Sequence, residues 1–286
     1  MKANGSKGKL VIIGGGEDKQ GDCGILKEFI RLAGGAKARI AIMTVATDKP
    51  EEYADEYEKV FKKLGADEAR MVDVSNRKDA HDPKALEFIE RATGIFFTGG
   101  DQLHITSLMG GTEMQELIRR KYEKGAVVGG TSAGAAMMSN SMIIRGESNC
   151  TPRFGGLEIG PGMDFLPGAM IDTHFSQRGR FGRLLTAIAH YPQDIGFGID
   201  ENTALVASDG TLEVIGENTV TVVDAGDITY TNLPDLERSE ALTLHGVRIH
   251  VLSTGHKFDL EKRAPVDVTD GAEKAKAATA GKAKAD

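Results

Sequence analysis

The sequence predicts an α/β fold: a three-layer architecture in which a mostly parallel sheet carries helices on both faces. Three observations predict it. Short apolar runs alternate with helical patterns through the first 140 residues. The apolar run Ala126-Val127-Val128 enters a sharp turn, Gly129-Gly130-Thr131-Ser132-Ala133-Gly134, followed by helix-favouring Ala135 to Met138. The later half is rich in short strands with turn residues between them, which predicts hairpins extending the sheet.

Leu10 to Ile13 is a continuous apolar run closed by Gly14-Gly15-Gly16 and reads as a fully buried strand. The glycine triplet misses the G-x-G-x-x-G fingerprint because Lys19 stands at the sixth position. Glu17 and Asp18 would repel a phosphate. The triplet is read as a tight turn near a ligand. Residues 24–33 carry helical spacing and end at Gly34-Gly35. Arg39 to Val45 is the next strand. Pro50 opens a helix that ends at Gly65. Met71 to Val74 is a third strand, Asp82-Pro83 starts a helix, and Ile95-Phe96-Phe97 is a fourth strand ahead of Thr98-Gly99-Gly100-Asp101-Gln102. A helix around Met114 to Tyr122 precedes the central strand. In parallel sheets of this kind ligands bind at the carboxyl ends of the strands, which puts Gly14–Gly16, Gly99–Gln102 and Ser132 on one rim.

From residue 145 the pattern changes. Residues 145–168 are rich in glycine and proline and read as a long loop, a candidate lid. Ala169 to Asp172 is a short strand before His174, and residues 183–190 read as helix. Ile195 to Ile199, Ala204 to Val206, Leu212 to Ile215, Thr219 to Val223, Thr229 to Thr231 and Val247 to Leu252 read as strands. Residues 1–270 are expected to form a single catalytic domain. Residues 271–286 contain only Ala, Lys, Gly, Asp, Glu and Thr and read as a solvated, disordered tail.

Composition excludes several functions. The chain has 42 acidic against 35 basic residues, a formal charge of -7 and no Trp. That balance argues against a nucleic-acid partner, which would need a basic face and stacking aromatics. Cys23 and Cys150 lack C-x-x-C spacing and read as inert thiols of a reducing compartment. Leu10–Ile13 is too short for a signal-peptide core or a membrane span, so a cytoplasmic protein with no membrane partner is expected. No H-E-x-x-H or similar spacing calls for a metal, and no cofactor is expected.

Gly130-x-Ser132-x-Gly134 between strand and helix fits a nucleophile elbow, with the serine hydroxyl exposed on a strained turn. Glycines flank it because side chains there would clash with strand and helix. Such a serine needs a base and the base an orienting acid. Of seven histidines, His174 follows a strand that ends near Ser132 and is the leading base. Asp200 and Glu201, at a strand-to-turn transition, are both candidate orienters. The rival order of the α/β-hydrolases would use Asp224 or Asp227 with His250 or His256, but the chain lacks their HGGG-type oxyanion motif. Arg178, Arg180 and Arg183 cluster beside His174. In an acidic protein they read either as an anion site or as a solvated helix face.

Gly129-Gly-Thr-Ser132-Ala-Gly-Ala, Phe97-Thr-Gly-Gly100-Asp-Gln102, Asp172-Thr-His174-Phe-Ser-Gln-Arg178-Gly-Arg180 and Gly198-Ile-Asp-Glu201-Asn-Thr203-Ala together resemble the cyanophycinase family. That family of serine peptidases is related to aspartyl dipeptidase and has a glutamine-amidotransferase-like fold. The resemblance runs from about Leu10 to about residue 265. It implies Ser132 as nucleophile, His174 as base and Glu201 as orienting acid, with Gly99, Gly100 and Ala133 forming the oxyanion hole. It implies substrate contacts from Gln102, Asp172, Arg178, Arg180 and Arg183. Thr173 departs from the family pattern, in which a glutamine can precede the histidine. The implied substrate is cyanophycin, a polyaspartate bearing isopeptide-linked arginines, or a related β-aspartyl peptide. Glu147, Asp101 and Asp172 are candidate partners for its guanidinium groups. An aspartyl or isoaspartyl dipeptidase and a non-enzymatic binding module are the alternatives. A homodimer is expected.

Overall fold

The apolar run Leu10–Ile13 is wholly buried because it forms the middle of the largest sheet. The structure, a computed structural model, describes residues 8–266. The expected tail at 271–286 lies outside them. The first half contains β1 (Leu10–Ile13), α1 (Gly24–Leu32), β2 (Arg39–Met43), α2 (Pro50–Lys63), β3 (Glu68–Val72), α3 (Pro83–Arg91), β4 (Gly94–Phe97), α4 (Gln102–Met109), α5 (Glu113–Glu123), β5 (Val127–Thr131) and α6 (Ala133–Ala136). The second half contains β6 (Ser141–Gly146), β7 (Leu157–Pro161), β8 (Ala169–Thr173), α7 (Phe181–His190), β9 (Ile195–Ile199), β10 (Thr203–Ser208), β11 (Thr211–Gly216), β12 (Thr219–Asp224), β13 (Tyr230–Thr231), β14 (Leu244–His245), β15 (Arg248–Ser253), β16 (Lys257–Asp259) and β17 (Ala264–Pro265).

The main sheet has nine strands in the order β17-β16-β11-β10-β1-β5-β4-β2-β3. From β1 through β3 all neighbours are parallel. From β1 outward through β10, β11, β16 and β17 they are antiparallel. Alternation along each strand divides the core. Val11, Ile13, Ile40, Ile42 and Phe96 pack with α1 and α2 on one face. Leu10, Ile12, Met43, Phe97 and Val128 pack on the other with residues of α3, α4 and α5. Helices therefore cover both faces of this mixed α/β sheet.

Several elements differ from the sequence reading. The later strands do not all extend the main sheet, because β15-β12-β9-β8 forms a second, four-stranded sheet. Its Phe197, Ile199, Val220 and Val222 share a core with Leu205, Leu212 and Val214 of the first. The segment read as a long loop from residue 145 begins inside an antiparallel hairpin: β6 starts ahead of it at Ser141 and pairs with β7 within it, with a register shift between Ile143 and Arg145. Its glycines and proline hide the strand signal in sequence. Finally, Met137 and Met138 do not continue the helix after Ser132. The Met137 carbonyl accepts the Met163 N–H at 2.6 Å, and the Met138 carbonyl accepts from Phe165 and Leu166. Helix α4, which the sequence reading missed, is capped by Asp101, whose Oδ1 accepts the Leu103 N–H at 2.8 Å.

The turn after β5 is tightly packed against its own backbone. A Cβ on Gly130 would stand 2.2 Å from the Gly134 carbonyl oxygen, whereas one on Gly156 would meet nothing within 4 Å. Gly130→Ala should therefore cost about 1–3 kcal/mol or more through overpacking against backbone. Gly156→Ala should leave stability unchanged. Thermal melts of the two variants, compared with wild type, check this.

Candidate active site

Ser132 sits between β5 and α6 with φ 53° and ψ −110°, a conformation that L side chains rarely adopt. The strain is held by neighbours on both sides. The Ser132 N–H donates to the Ile13 carbonyl at 3.0 Å, while the Ser132 carbonyl accepts from Ala135 and Ala136. The hydroxyl is left facing a cleft of about 250 Å³.

His174 follows β8 at φ 47°. Its Nε2 lies 2.9 Å from Ser132 Oγ, and its Nδ1 lies 2.6 Å from Glu201 Oε1. With the proton on Nδ1, as the carboxylate requires, Nε2 is free to accept from the serine hydroxyl. Gly15 makes room for the ring: a Cβ there would stand 2.3 Å from His174 Cε1. The three parts are gathered by consecutive carbonyls at the end of β1. Ile13 accepts from Ser132, Gly14 from His174 at 2.7 Å and Gly15 from Asn202 at 2.9 Å.

The sequence left two acids open. Asp200 is buried, and its carboxylate accepts from Ser176 N and Oγ and from Thr219 N and Oγ1. It holds the chain around His174, and Glu201 is the acid on the imidazole. The rival residues are not assembled. Asp224 accepts from Arg248 and Arg263. His250 lies on the edge strand β15, and His256 turns back on Ser253.

Gly99 and Gly100 reach Ser132 from the end of β4. A Cβ on Gly99 would stand 3.5 Å from Ser132 Cβ, and Gly100 lines the cleft with Ser132. Among the described residues, the N–H groups of Gly99, Gly100 and Ala133 donate to no acceptor of the chain. Three unengaged donors beside the hydroxyl suit an oxyanion.

The arginine cluster is mostly not a solvated face. Arg183 is buried; its Nε donates to Asp172 Oδ2 at 2.7 Å and its Nη2 to Asp172 Oδ1, forming a fork on that carboxylate. Its Nη1 reaches the Gly146 carbonyl at 3.3 Å. Arg180 Nη1 donates to the Thr173 carbonyl at 2.6 Å and lies 3.4 Å from Asp172 Oδ1. Its Nε is buried without a partner. Burial, partly offset by Asp172 and reinforced by Arg183 and Arg178, pushes the Arg180 guanidinium down to about 10, so it stays charged at neutral pH. Arg178 is exposed and lines the cleft. Asp172 thus answers two arginines, and a cationic wall remains.

Gln102 also has its donors engaged: Nε2 donates to the Ile143 and Ile144 carbonyls at 2.8 and 2.9 Å, pinning the bulge of β6. That bulge brings Arg145, which the sequence reading missed, into the cleft wall 3.9 Å from Asp101. No local signal in the sequence marks it, because the segment reads there as the start of a loop. Of the acids considered for a guanidinium partner, Asp172 is occupied, Glu147 lines a separate small pocket with Cys150, and Asp101 lines the cleft. Both cysteines are free thiols. Among the described residues, no group of three or more His, Cys, Asp or Glu could hold a metal ion, and no helix is long and apolar enough to cross a membrane.

A hydroxyl, an imidazole and a carboxylate in line at the rim of an α/β sheet are the arrangement of a serine-type hydrolase. The chain belongs to peptidase family S51, whose model matches residues 10–215. The cyanophycinase of Trichormus variabilis is 37% identical over 260 residues, covering 90% of this chain and 87% of its own. That of Geminocystis herdmanii is 38% identical over 262 residues, covering 91% and 96%. Among solved structures, a peptidase from an acI-B1 actinobacterium matches with a TM-score of 0.63 at 22% identity over 89% of this chain and 97% of its own. A putative peptidase E from Listeria monocytogenes matches at 0.51 with 14% identity over 74% and 100%. At those identities the two structures share the fold.

Burial holds the His174 imidazole below its ordinary value, with Arg178 and Arg180 adding to the effect and the Glu201 hydrogen bond opposing it. His174 is therefore neutral at pH 7, and reactivity should fall as acid protonates it. Removing a lowering influence by Arg178→Ala should move this acid limb to higher pH. Removing the raising one by Glu201→Gln should move it lower. The pH dependence of fluorophosphonate labelling checks both directions.

Arg178 and Arg183 should also separate. Arg183→Ala leaves the buried Asp172 carboxylate with the Thr173 N–H and, at 3.4 Å, Arg180 as its cation, and breaking a buried pair costs about 3–5 kcal/mol, so the melting midpoint should drop. Arg178→Ala should leave the midpoint unchanged and raise KM. Thermal melts and steady-state kinetics on the two variants decide.

Proposed function

We propose that this chain is a serine exopeptidase that hydrolyses the aspartyl backbone of cyanophycin and releases β-Asp-Arg dipeptides. The observation that carries the reading is the cationic wall of Arg178 and Arg180 beside the Ser132–His174–Glu201 line. The relatives named above carry the name cyanophycinase, and the arginine units of that polymer present free carboxylates. Guanidinium groups pair with carboxylates in a bidentate fork, and both arginines line the cleft. Asp101 is the acid of the cleft placed to take a substrate guanidinium.

In the proposed mechanism Ser132 Oγ attacks an aspartyl backbone carbonyl as His174 Nε2 takes its proton. The Glu201 carboxylate holds the imidazole in the correct tautomer and stabilises the imidazolium. The N–H groups of Gly99, Gly100 and Ala133 receive the oxyanion. His174 returns the proton to the leaving amine, and water then releases the acyl-enzyme. Gln102, Asp172 and Arg183 shape the cleft from behind by holding β6 and the arginines. Residues 1–270 act as one catalytic domain. The expected cytoplasmic location and homodimer belong to this reading, and light scattering of the purified protein checks the dimer.

The test is digestion of insoluble cyanophycin followed by mass spectrometry of the soluble products. The dipeptide β-Asp-Arg should appear without free arginine, and Ser132→Ala should release none. Free arginine as the first product would refute backbone cleavage. Cleavage of short Asp-X dipeptides alone would move the protein to the dipeptidase reading. Plain α-linked polyaspartate should be a poor substrate, because it leaves charged groups of the cleft unpaired.

A further inference from the structure

Glu17 is a carboxylate buried to 5% exposure, and the mechanism above does not use it. It follows the glycine triplet Gly14–Gly16 that the sequence singled out as a tight turn near a ligand. Its partners are two hydroxyls and not a cation. Thr131 Oγ1 donates to Glu17 Oε2 at 2.6 Å, and the buried Tyr57 hydroxyl donates to Oε1. Thr131 immediately precedes Ser132, and Tyr57 is on α2, behind the sheet. Glu17 therefore ties the end of β5 and a helix of the outer layer to the segment that leaves β1.

That segment touches each member of the Ser132–His174–Glu201 line. Its Ile13, Gly14 and Gly15 carbonyls accept from Ser132, His174 and Asn202, and its Asp18 N–H donates to Asn202 Oδ1 at 2.9 Å. Gly15 also lies against the imidazole ring, and Gly16 lies against the Glu201 side chain. A charged acceptor strengthens both of its hydrogen bonds, and burial excludes water from replacing either. Neither Glu17 nor Thr131 lines the cleft.

We infer that Glu17, through Thr131 and Tyr57, is a positioning residue that fixes the Ser132 turn and the segment 14–18 in register with His174 and Glu201. This rests on Ser132 being the nucleophile. The expected signature is slower chemistry with unchanged substrate affinity.

The experiment measures fluorophosphonate labelling of Ser132, mapped by mass spectrometry, together with kcat and KM on soluble β-Asp-Arg oligomers. Thr131→Val keeps the branched shape and removes the hydroxyl. Well below its melting midpoint it should label between about tenfold and about a hundredfold more slowly, the range that misplacement of a reacting group costs. Its kcat should fall while KM holds. Thr131→Ser, which keeps the hydroxyl, should label within about twofold of wild type. If Thr131→Val does not fold, Tyr57→Phe carries the test, with the same direction expected. A purely structural role would lower the melting midpoint and leave labelling of the folded enzyme at the wild-type rate, which overturns the inference. So does a Thr131→Ser variant as slow as Thr131→Val. Wild-type enzyme that fails to label at Ser132 refutes the nucleophile reading itself and is distinguishable from both.

Discussion

Three consecutive carbonyls at the end of β1 join the two halves of this chain. Those of Ile13, Gly14 and Gly15 accept the N–H groups of Ser132, His174 and Asn202. The donors lie far apart in sequence, and each follows a different strand. The row adds to the ladders that pair β1 with β5 and β10, and it ties the end of β8 to the same place. The row is short because its three residues are consecutive in the chain, so their carbonyls deliver the partners close to one another. Glycine at position 15 is required twice over, by its φ of +96° and by the imidazole packed against it.

The same rim carries the charge. Asp172 is almost wholly buried and holds Arg183 in a fork while touching Arg180. A buried carboxylate of that kind is tolerated because the two guanidinium groups and the Thr173 N–H satisfy it. One negative charge for two positive ones leaves a surplus, and Arg178 adds to it at the cleft wall, where Arg145 faces Asp101. An anionic ligand entering the cleft completes that charge balance. The hairpin β6–β7 belongs to this arrangement, since Gln102 holds its backbone at Ile143 and Ile144 and Arg183 at Gly146. It is a built wall and not a free loop.

Much of this was legible in the sequence. Buried parallel strands announce themselves as apolar runs, so Leu10–Ile13, Ile95–Phe97 and Val127–Val128 were evident, as was the glycine-flanked Ser132. Strand β7 of the hairpin was not legible, because Gly160 and Pro161 mask a strand that exists only by pairing with its neighbour. Nor was the split of the later strands into two sheets. Val220 and Val222 pack as core residues of a second sheet, yet their alternating pattern is the same as that of a strand extending the first.

The sequence by itself determined the residue types and the local turns: a serine between glycines, a histidine after a short strand, an acidic pair, three arginines in six positions. Those features depend on chain neighbours and are written in chain order. Only the tertiary structure decided which acid meets the imidazole, which arginine is engaged and which is free, and what Glu17 touches. Asp200 and Glu201 are adjacent and chemically alike. They differ because β9 ends with the Asp200 carboxylate under Ser176 and Thr219, while the next residue turns toward His174. Side-chain direction at a strand end, and the distant partners that meet it, are properties of packing, and packing is not local.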